Sequence, residues 1–169
     1  FAPSYVAVAA IVASIAIPNL LESKITANEA AAAATLKSAF FAGLIQFQAG
    51  GYVDINQNGV GEYGFINHMN GAKPIKSADG DITIDADSLR LLTGNLGQEV
   101  WPDGYATSNG YHFKIFLPDG RGGMYGYDEY AKDNDKASGA SLRELYYIAV
   151  AWPTVLNETG RRVYMMTQD

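Results

Sequence analysis

The stretch "DINQNGVGE" places oxygen-bearing side chains at Asp54, Asn56, Asn58 and Glu62, with Gly59 where a loop can turn sharply. Calcium prefers about six to eight oxygen ligands, and the run begins like a D-x-N-x-N-G calcium loop. The position of the closing bidentate Glu in such a loop is Phe65 here, which excludes that loop type. The sequence therefore allows either a calcium site or an Asn/Gly turn held by side-chain to backbone hydrogen bonds.

Catalytic chemistry is not expected. His68 and His112 are the only histidines, they lie far apart in the sequence, and the chain has no cysteine. We find no Ser-His-Asp arrangement, phosphate-binding loop or dinucleotide fingerprint. These observations predict a protein that is not an enzyme and needs no cofactor.

One modification motif is present. Asn157-Glu158-Thr159 fits the N-x-[S/T] acceptor pattern, in a segment that reads as an exposed turn. Asn157 is therefore a candidate glycosylation site.

The charges are unevenly distributed along the chain. The net charge is −6, yet the four charged residues before residue 50 cancel, so the acidic excess lies in residues 50–169. Clustered Lys and Arg are needed to neutralise phosphates, so nucleic acid is not an expected partner. Of the 18 glycines, 17 also follow residue 49, which divides the chain into a segment 1–49 and a head, 50–169.

The residue pattern of the first segment predicts one long helix with two different halves. Residues 1–21 carry no charge and, as a helix, are long enough to cross a bilayer. The helical pattern continues past them, which favours an anchor over a cleaved secretory signal. Residues 22–49 are amphipathic, and "AGGY" provides a stop at Ala49 to Tyr52. The predicted apolar stripe of this half comprises Ile25, Ala32, Leu36, Phe40, Leu44 and Phe47.

A proline stands inside the apolar half. Pro18 lacks an N–H and its ring opposes the carbonyl of Ser14, so the helix should be weak between these two residues. We expect this turn to become extended in an assembled state, so that the two halves can adopt different packing.

The sequence of the head predicts an α+β fold, with a small antiparallel sheet packed on the amphipathic half of the helix. The strongest strands are "GYHFKIFL", "LYYIAVAW" and "RRVYMMTQ", and "PTVLNETG" connects the last two as a hairpin. "DSLRLLTG", Asp87 to Gly94, predicts a short helix capped by Asp87 or Ser88.

The segment "IAIPNLLESKITANEAAAAATLKSAF" resembles the N-terminal helix of bacterial type IV pilins, in which an apolar segment ends in Ile-Pro-Asn before an Ala-rich half. The Asp/Asn-Gly turn after the helix and the "AWP" hairpin near the end are similar to pilin-like heads. The resemblance implies a pilin fold, an N-methylated Phe1 after prepilin-peptidase cleavage, and a chain stored in the inner membrane before it polymerises with its own copies. An assembly ATPase and a membrane platform would be further partners.

Two features depart from that family. Pilins generally carry a Glu at the fifth mature position, where this chain has Tyr5, and Pro18 lies about four residues nearer the start than usual. In the family this Glu is thought to pair with the N-terminal amine of a neighbouring subunit. That amine would need another acceptor here, such as Ser4 or a backbone carbonyl.

The resemblance predicts a structural subunit of an extracellular filament that serves adhesion, motility or attachment. A pseudopilin of a type II secretion system would share the helix but form a short periplasmic piston. A membrane-anchored module that binds calcium or another ligand through the acidic loops would remain monomeric and form no filament.

Overall fold

The computed structural model describes residues 2–76, 82–97, 102–126 and 136–168. It is an α+β structure, with a long N-terminal helix and a small antiparallel sheet.

The long helix begins at Ala2 and ends at Ala49, where its sequence predicts the stop. It comprises an α-helix α1 (Ala2–Thr35), one π-helical turn (Leu36–Phe40) and a second α-helix α2 (Phe41–Ala49). Gly51 follows with a positive φ of 61°, a conformation that glycine adopts without steric cost.

The π turn explains how the apolar stripe stays on one side. Ala32, Leu36, Phe40 and Leu44 are spaced by four, four and four residues. In an ideal α-helix these steps would rotate the last residue about 120° away from the first. The wider turn, in which the N–H of Phe41 reaches back to the carbonyl of Leu36, absorbs that rotation.

The predicted stripe is confirmed as the buried face of the helix. Each of its members is at most 4% exposed: Ile25, Ala32, Leu36, Phe40, Leu44 and Phe47. The amphipathic half therefore forms one wall of the core.

Pro18 lies inside α1, and the backbone of the single chain is α-helical on both sides of it. The break predicted between Ser14 and Pro18 concerns the assembled state, so it stays a prediction.

The main sheet packs on this helix. Its strands are antiparallel and ordered β3 (Tyr105–Ser108), β4 (Tyr111–Pro118), β6 (Ile148–Pro153) and β7 (Tyr164–Met166), while β5 (Met124–Tyr125) pairs with the end of β4. The three segments predicted as strands thus supply β4, β6 and β7, with β4 and β6 each ending one residue beyond the predicted segment, at Pro118 and Pro153.

One face of the sheet meets the helix. Along β4 the buried residues alternate with half-exposed ones, and the ring of Phe113 stacks on that of Phe40 at 5.3 Å between centroids. Small buried residues on the neighbouring strands, Ala106, Ala149 and Ala151, leave room for the helix to approach.

The head also contains shorter helices and strands. They are helix α3 (Ile66–Met69), the hairpin β1 (Ile75–Lys76) with β2 (Ile82–Ile84), a 3₁₀ turn (Gly94–Gly97) and helix α4 (Lys136–Arg143).

The helix predicted from Asp87 to Gly94 is wrong. Asp87 has a positive φ of 66°, and the N–H groups of Leu91 and Leu92 both donate to the carbonyl of Met69. Tertiary hydrogen bonds to α3 thus replace the local bonds that a helix would need.

Candidate functional site

The connection between β6 and β7, Thr154–Val163, lies against the long helix, and we call it the base loop. It forms the predicted hairpin connection. Its turn is held by the Thr159 hydroxyl, which contacts the hydroxyl of Thr154 at 3.1 Å and accepts a hydrogen bond from the N–H of Val155 at 3.0 Å.

Gly160 lets this loop sit close to the sheet. A Cβ atom at that position would lie 2.0 Å from the hydroxyl oxygen of Tyr111. That hydroxyl donates to the carbonyl of Arg162 at 3.0 Å, so the loop is tied to β4 as well.

Three polar residues of α1 hold the base loop. The Asn28 amide donates to the carbonyl of Thr159 at 2.9 Å, and the Glu29 carboxylate accepts from the backbone N–H of Arg161 at 2.9 Å. The Arg161 guanidinium also donates two hydrogen bonds of 2.7 Å to Glu22. Arg161 thus runs along the helix, from the level of Glu29 towards the apolar half.

The head covers the helix only as far as Ile25. Ile25 is buried, whereas residues 18–24 are all exposed, with Leu20 73% exposed. The uncharged segment therefore continues beyond the head with no protein cover in the single chain at its described end.

The face of the helix opposite the head is also exposed. It carries small and apolar residues at helical spacing: Ala27, Ala30, Ala34, Ser38, Phe41 and Ile45. Phe41 is 43% exposed and Ile45 40% exposed, although both are large apolar residues. Such a face suits close packing against another helix.

By length and composition, one helix among the described residues, Pro18–Ala49, could cross a membrane. A core helix of a soluble protein meets the same criterion, and the head does cover one side of this one.

The loop that the sequence singles out for calcium is folded by its own side chains. The two carboxylate oxygens of Asp54 accept the N–H groups of Asn58 and Gly59. The side-chain oxygens of Asn56 and Asn58 accept those of Asn58 and Val60. This is the bonding of the Asn/Gly turn that the sequence allows as an alternative.

Glu62 binds the backbone of this turn from the buried side and forms an ion pair with Arg143. Its carboxylate accepts from the Arg143 Nε at 2.9 Å and from the N–H of Ile55 at 2.9 Å, and both charged residues are buried. Burial raises the pKa of Glu62, and the guanidinium of Arg143 offsets part of that rise. Among the described residues, no group of three His, Cys, Asp or Glu side chains is placed to hold a metal ion. Calcium binding stays a prediction.

Asn157 lies exposed in the base loop with a left-handed φ of 66°, a conformation that Asn tolerates. Its side chain is accessible, and glycosylation at this site stays a prediction. Phe1 lies outside the described residues.

The histidines occupy two different environments. His112 is half-buried on the outer sheet face, where its ring lies 4.7 Å from Tyr105 and 5.5 Å from Trp152 between centroids. Cross-strand aromatic neighbours thus cover part of this ring. His68 is buried in the core near the Phe47 ring.

The contacts between α1 and the base loop were not anticipated from the sequence. Their partners are 131 to 139 residues apart, and no local pattern links them. The one available signal is the pair Arg161-Arg162 in an otherwise acidic head.

Comparisons with known protein families, with characterised proteins and with solved structures give no significant match.

Proposed function

We propose that this protein is a structural subunit that polymerises through its N-terminal helix into an extracellular filament of the type IV pilus kind. Before assembly, the apolar half of the helix holds the subunit in the inner membrane. After assembly, neighbouring helices replace the lipid, and the acidic heads face outward. The protein acts by assembly and carries out no reaction.

The observation that carries the proposal is the incomplete cover of the helix. The head buries one stripe of the amphipathic half and stops at Ile25, one turn after the uncharged segment ends. Residues 18–21 of the uncharged segment are exposed in the single chain. An apolar helix without protein cover requires lipid or other helices around it.

The outer helix face supports assembly in particular. A lone membrane anchor needs apolar residues only within the bilayer, whereas here Phe41 and Ile45 are exposed beside the head. Together with the alanines that precede them, they form a surface on which the helix of another copy can pack.

The test is to isolate surface fibres from cells that make this chain and to image them by electron microscopy. We expect long filaments composed of this chain, with an N-methylated Phe1 in their mass spectrum. A high-resolution reconstruction would also show whether the turn from Ser14 to Pro18 is extended.

Two results would contradict the proposal. Short periplasmic assemblies without surface filaments would favour a secretion pseudopilin. A stable monomer in detergent that binds calcium stoichiometrically, with no filaments, would favour a membrane-anchored binding module.

A further inference from the structure

The base loop exposes three apolar side chains in the part of the chain that the structure describes. Leu156 is 64% exposed, Val163 is 65% exposed and Val155 is 46% exposed. Exposed apolar side chains are common singly, whereas three within one tightly held loop mark a candidate contact surface, and we call these three residues the patch.

This patch lies beside the point where the helix leaves the head. Asn28 and Glu29 hold the loop backbone, and they follow Leu21, the last residue of the uncharged segment, by seven and eight residues. At 1.5 Å per residue this places the loop about 10 to 12 Å along the helix from Leu21.

One side chain of the loop comes closer to a bilayer, because the Arg161 guanidinium bonds to Glu22, the residue after Leu21. The polar headgroup layer of a bilayer extends roughly 5 to 8 Å beyond the hydrocarbon edge on each side. If Leu21 lies at that edge, Arg161 reaches the headgroup layer, and an apolar side chain of the same loop would meet this layer by projecting a few ångströms towards the apolar half.

The charge of the loop also fits a lipid surface. It contains two arginines and one glutamate, in a protein whose net charge is −6. The Arg162 side chain is 73% exposed, and its Nε lies 3.7 Å from Glu29. Most of this side chain is therefore accessible, and Arg binds phosphate groups such as those of lipids well.

We propose that the base loop is a membrane-contact surface, which inserts Val155, Leu156 and Val163 among lipid headgroups and binds a lipid phosphate through Arg162. It sets the height and tilt of the head on the bilayer before assembly. The inference rests on the proposed function in one respect, namely that the apolar helix lies in a membrane.

The experiment measures the depth of single fluorescent labels on the full chain. Because the chain has no cysteine, Leu156→Cys and Val60→Cys each create one labelling site. Val60 is a matched control, because it is apolar and 48% exposed. It precedes Gly61, which packs on the carbonyl of Gln48, about 40 Å along the helix from Leu21.

The labelled proteins are reconstituted into vesicles of phosphatidylcholine and phosphatidylglycerol that contain a headgroup-nitroxide lipid. We expect the nitroxide to quench the label at position 156 at least about threefold more strongly than the label at position 60, because only position 156 is near the interface. A Val163→Cys variant should behave like Leu156→Cys.

The outcomes separate the two proposals. Equal, weak quenching at positions 156, 163 and 60, in protein that floats with the vesicles and resists alkaline extraction, would overturn the membrane contact alone. Protection of position 156 only in assembled fibres would assign the patch to a neighbouring subunit and would also overturn it. Protein that fails to float with the vesicles would contradict the membrane anchor in the proposed function.

Discussion

The ion pair between Glu62 and Arg143 joins three parts of the head. Arg143 is the last residue of α4, its guanidinium also donates to the carbonyl of Pro118 at 3.3 Å, and Glu62 holds the N–H of Ile55. Both side chains are almost fully buried, so each charge depends on the other for compensation.

Replacing Glu62 with Gln should destabilise the head by about 3 to 5 kcal/mol, because it removes the carboxylate charge that compensates the buried guanidinium of Arg143. Chemical denaturation of the detergent-solubilised protein measures this loss. The double variant Glu62→Gln/Arg143→Met should lose less than the sum of the two single variants. Additive losses would mean that the two charges do not interact.

The free energy of unfolding should depend on pH through the imidazole of His112. Burial lowers its pKa below the ordinary 6.5. The unfolded chain therefore binds a proton more readily than the folded one, so this contribution to stability is present above pH 6.5 and is lost as the pH falls below it.

We expect His112→Gln to reduce the fall in the denaturation midpoint between about pH 7 and pH 5. The control is Thr107→Val, which removes the 2.8 Å contact to His112 Nδ1 but keeps the imidazole. An NMR titration that gives His112 a pKa at or above 6.5 would contradict this prediction.

At the level of single residues, the sequence allows the Asn/Gly turn to be predicted but not the ion-pair partner of Glu62. The turn is determined by neighbours in the sequence, since Asp54, Asn56 and Asn58 bond to backbone groups two to five residues away. Glu62 is directed by Arg143, 81 residues later, and no local pattern reveals such a partner.

The long helix presents two neighbouring phenylalanines to opposite environments. Phe40 is fully buried against the sheet, and Phe41 is 43% exposed on the outer face. If the proposed function holds, substitutions at these two positions should separate folding from assembly.

Phe40→Ala should cost about 3 to 5 kcal/mol of folding stability, because it removes a core ring and leaves a cavity. Phe41→Ala should cost less than about 1 kcal/mol in the isolated subunit and should weaken filament formation. Denaturation curves of the two variants, with fibre yields for Phe41→Ala, provide the measurement. A Phe41→Ala variant that unfolds as readily as Phe40→Ala would contradict the assignment of the two faces.

Among the elements, the helix and three strands could be predicted because their periodicity is strong, as in the alternation from Tyr111 to Leu117. The π turn could also have been inferred, since three successive spacings of four do not fit one face of an α-helix. The region from Asp87 to Gly94 could not, because hydrogen bonds to Met69 override its local preference.

The whole molecule has an acidic head and an outer helix face on which small and apolar residues predominate, with Lys37 beside them. A positive charge placed on that face should block helix packing between copies and leave the single chain intact.

Ala34→Arg should therefore abolish filaments, while the stability of the detergent-solubilised subunit changes by no more than about 0.5 kcal/mol. Lys37→Arg is the control, because it adds a guanidinium at an exposed position of the same helix without changing the charge. Normal fibres from Ala34→Arg would show that this face does not take part in assembly.

The contacts between the two ends of the chain have a consequence during synthesis. Asn28 and Glu29 are synthesised before their hydrogen-bond partners Thr159 and Arg161, which are 131 and 132 residues away. At about 5 to 20 residues per second, a ribosome needs roughly 7 to 26 s to make that length. The helix therefore leaves the ribosome well before the strands that cover its stripe. Until the last hairpin emerges, the exposed stripe of the new chain can be bound by chaperones, cut by proteases or associate prematurely with other chains.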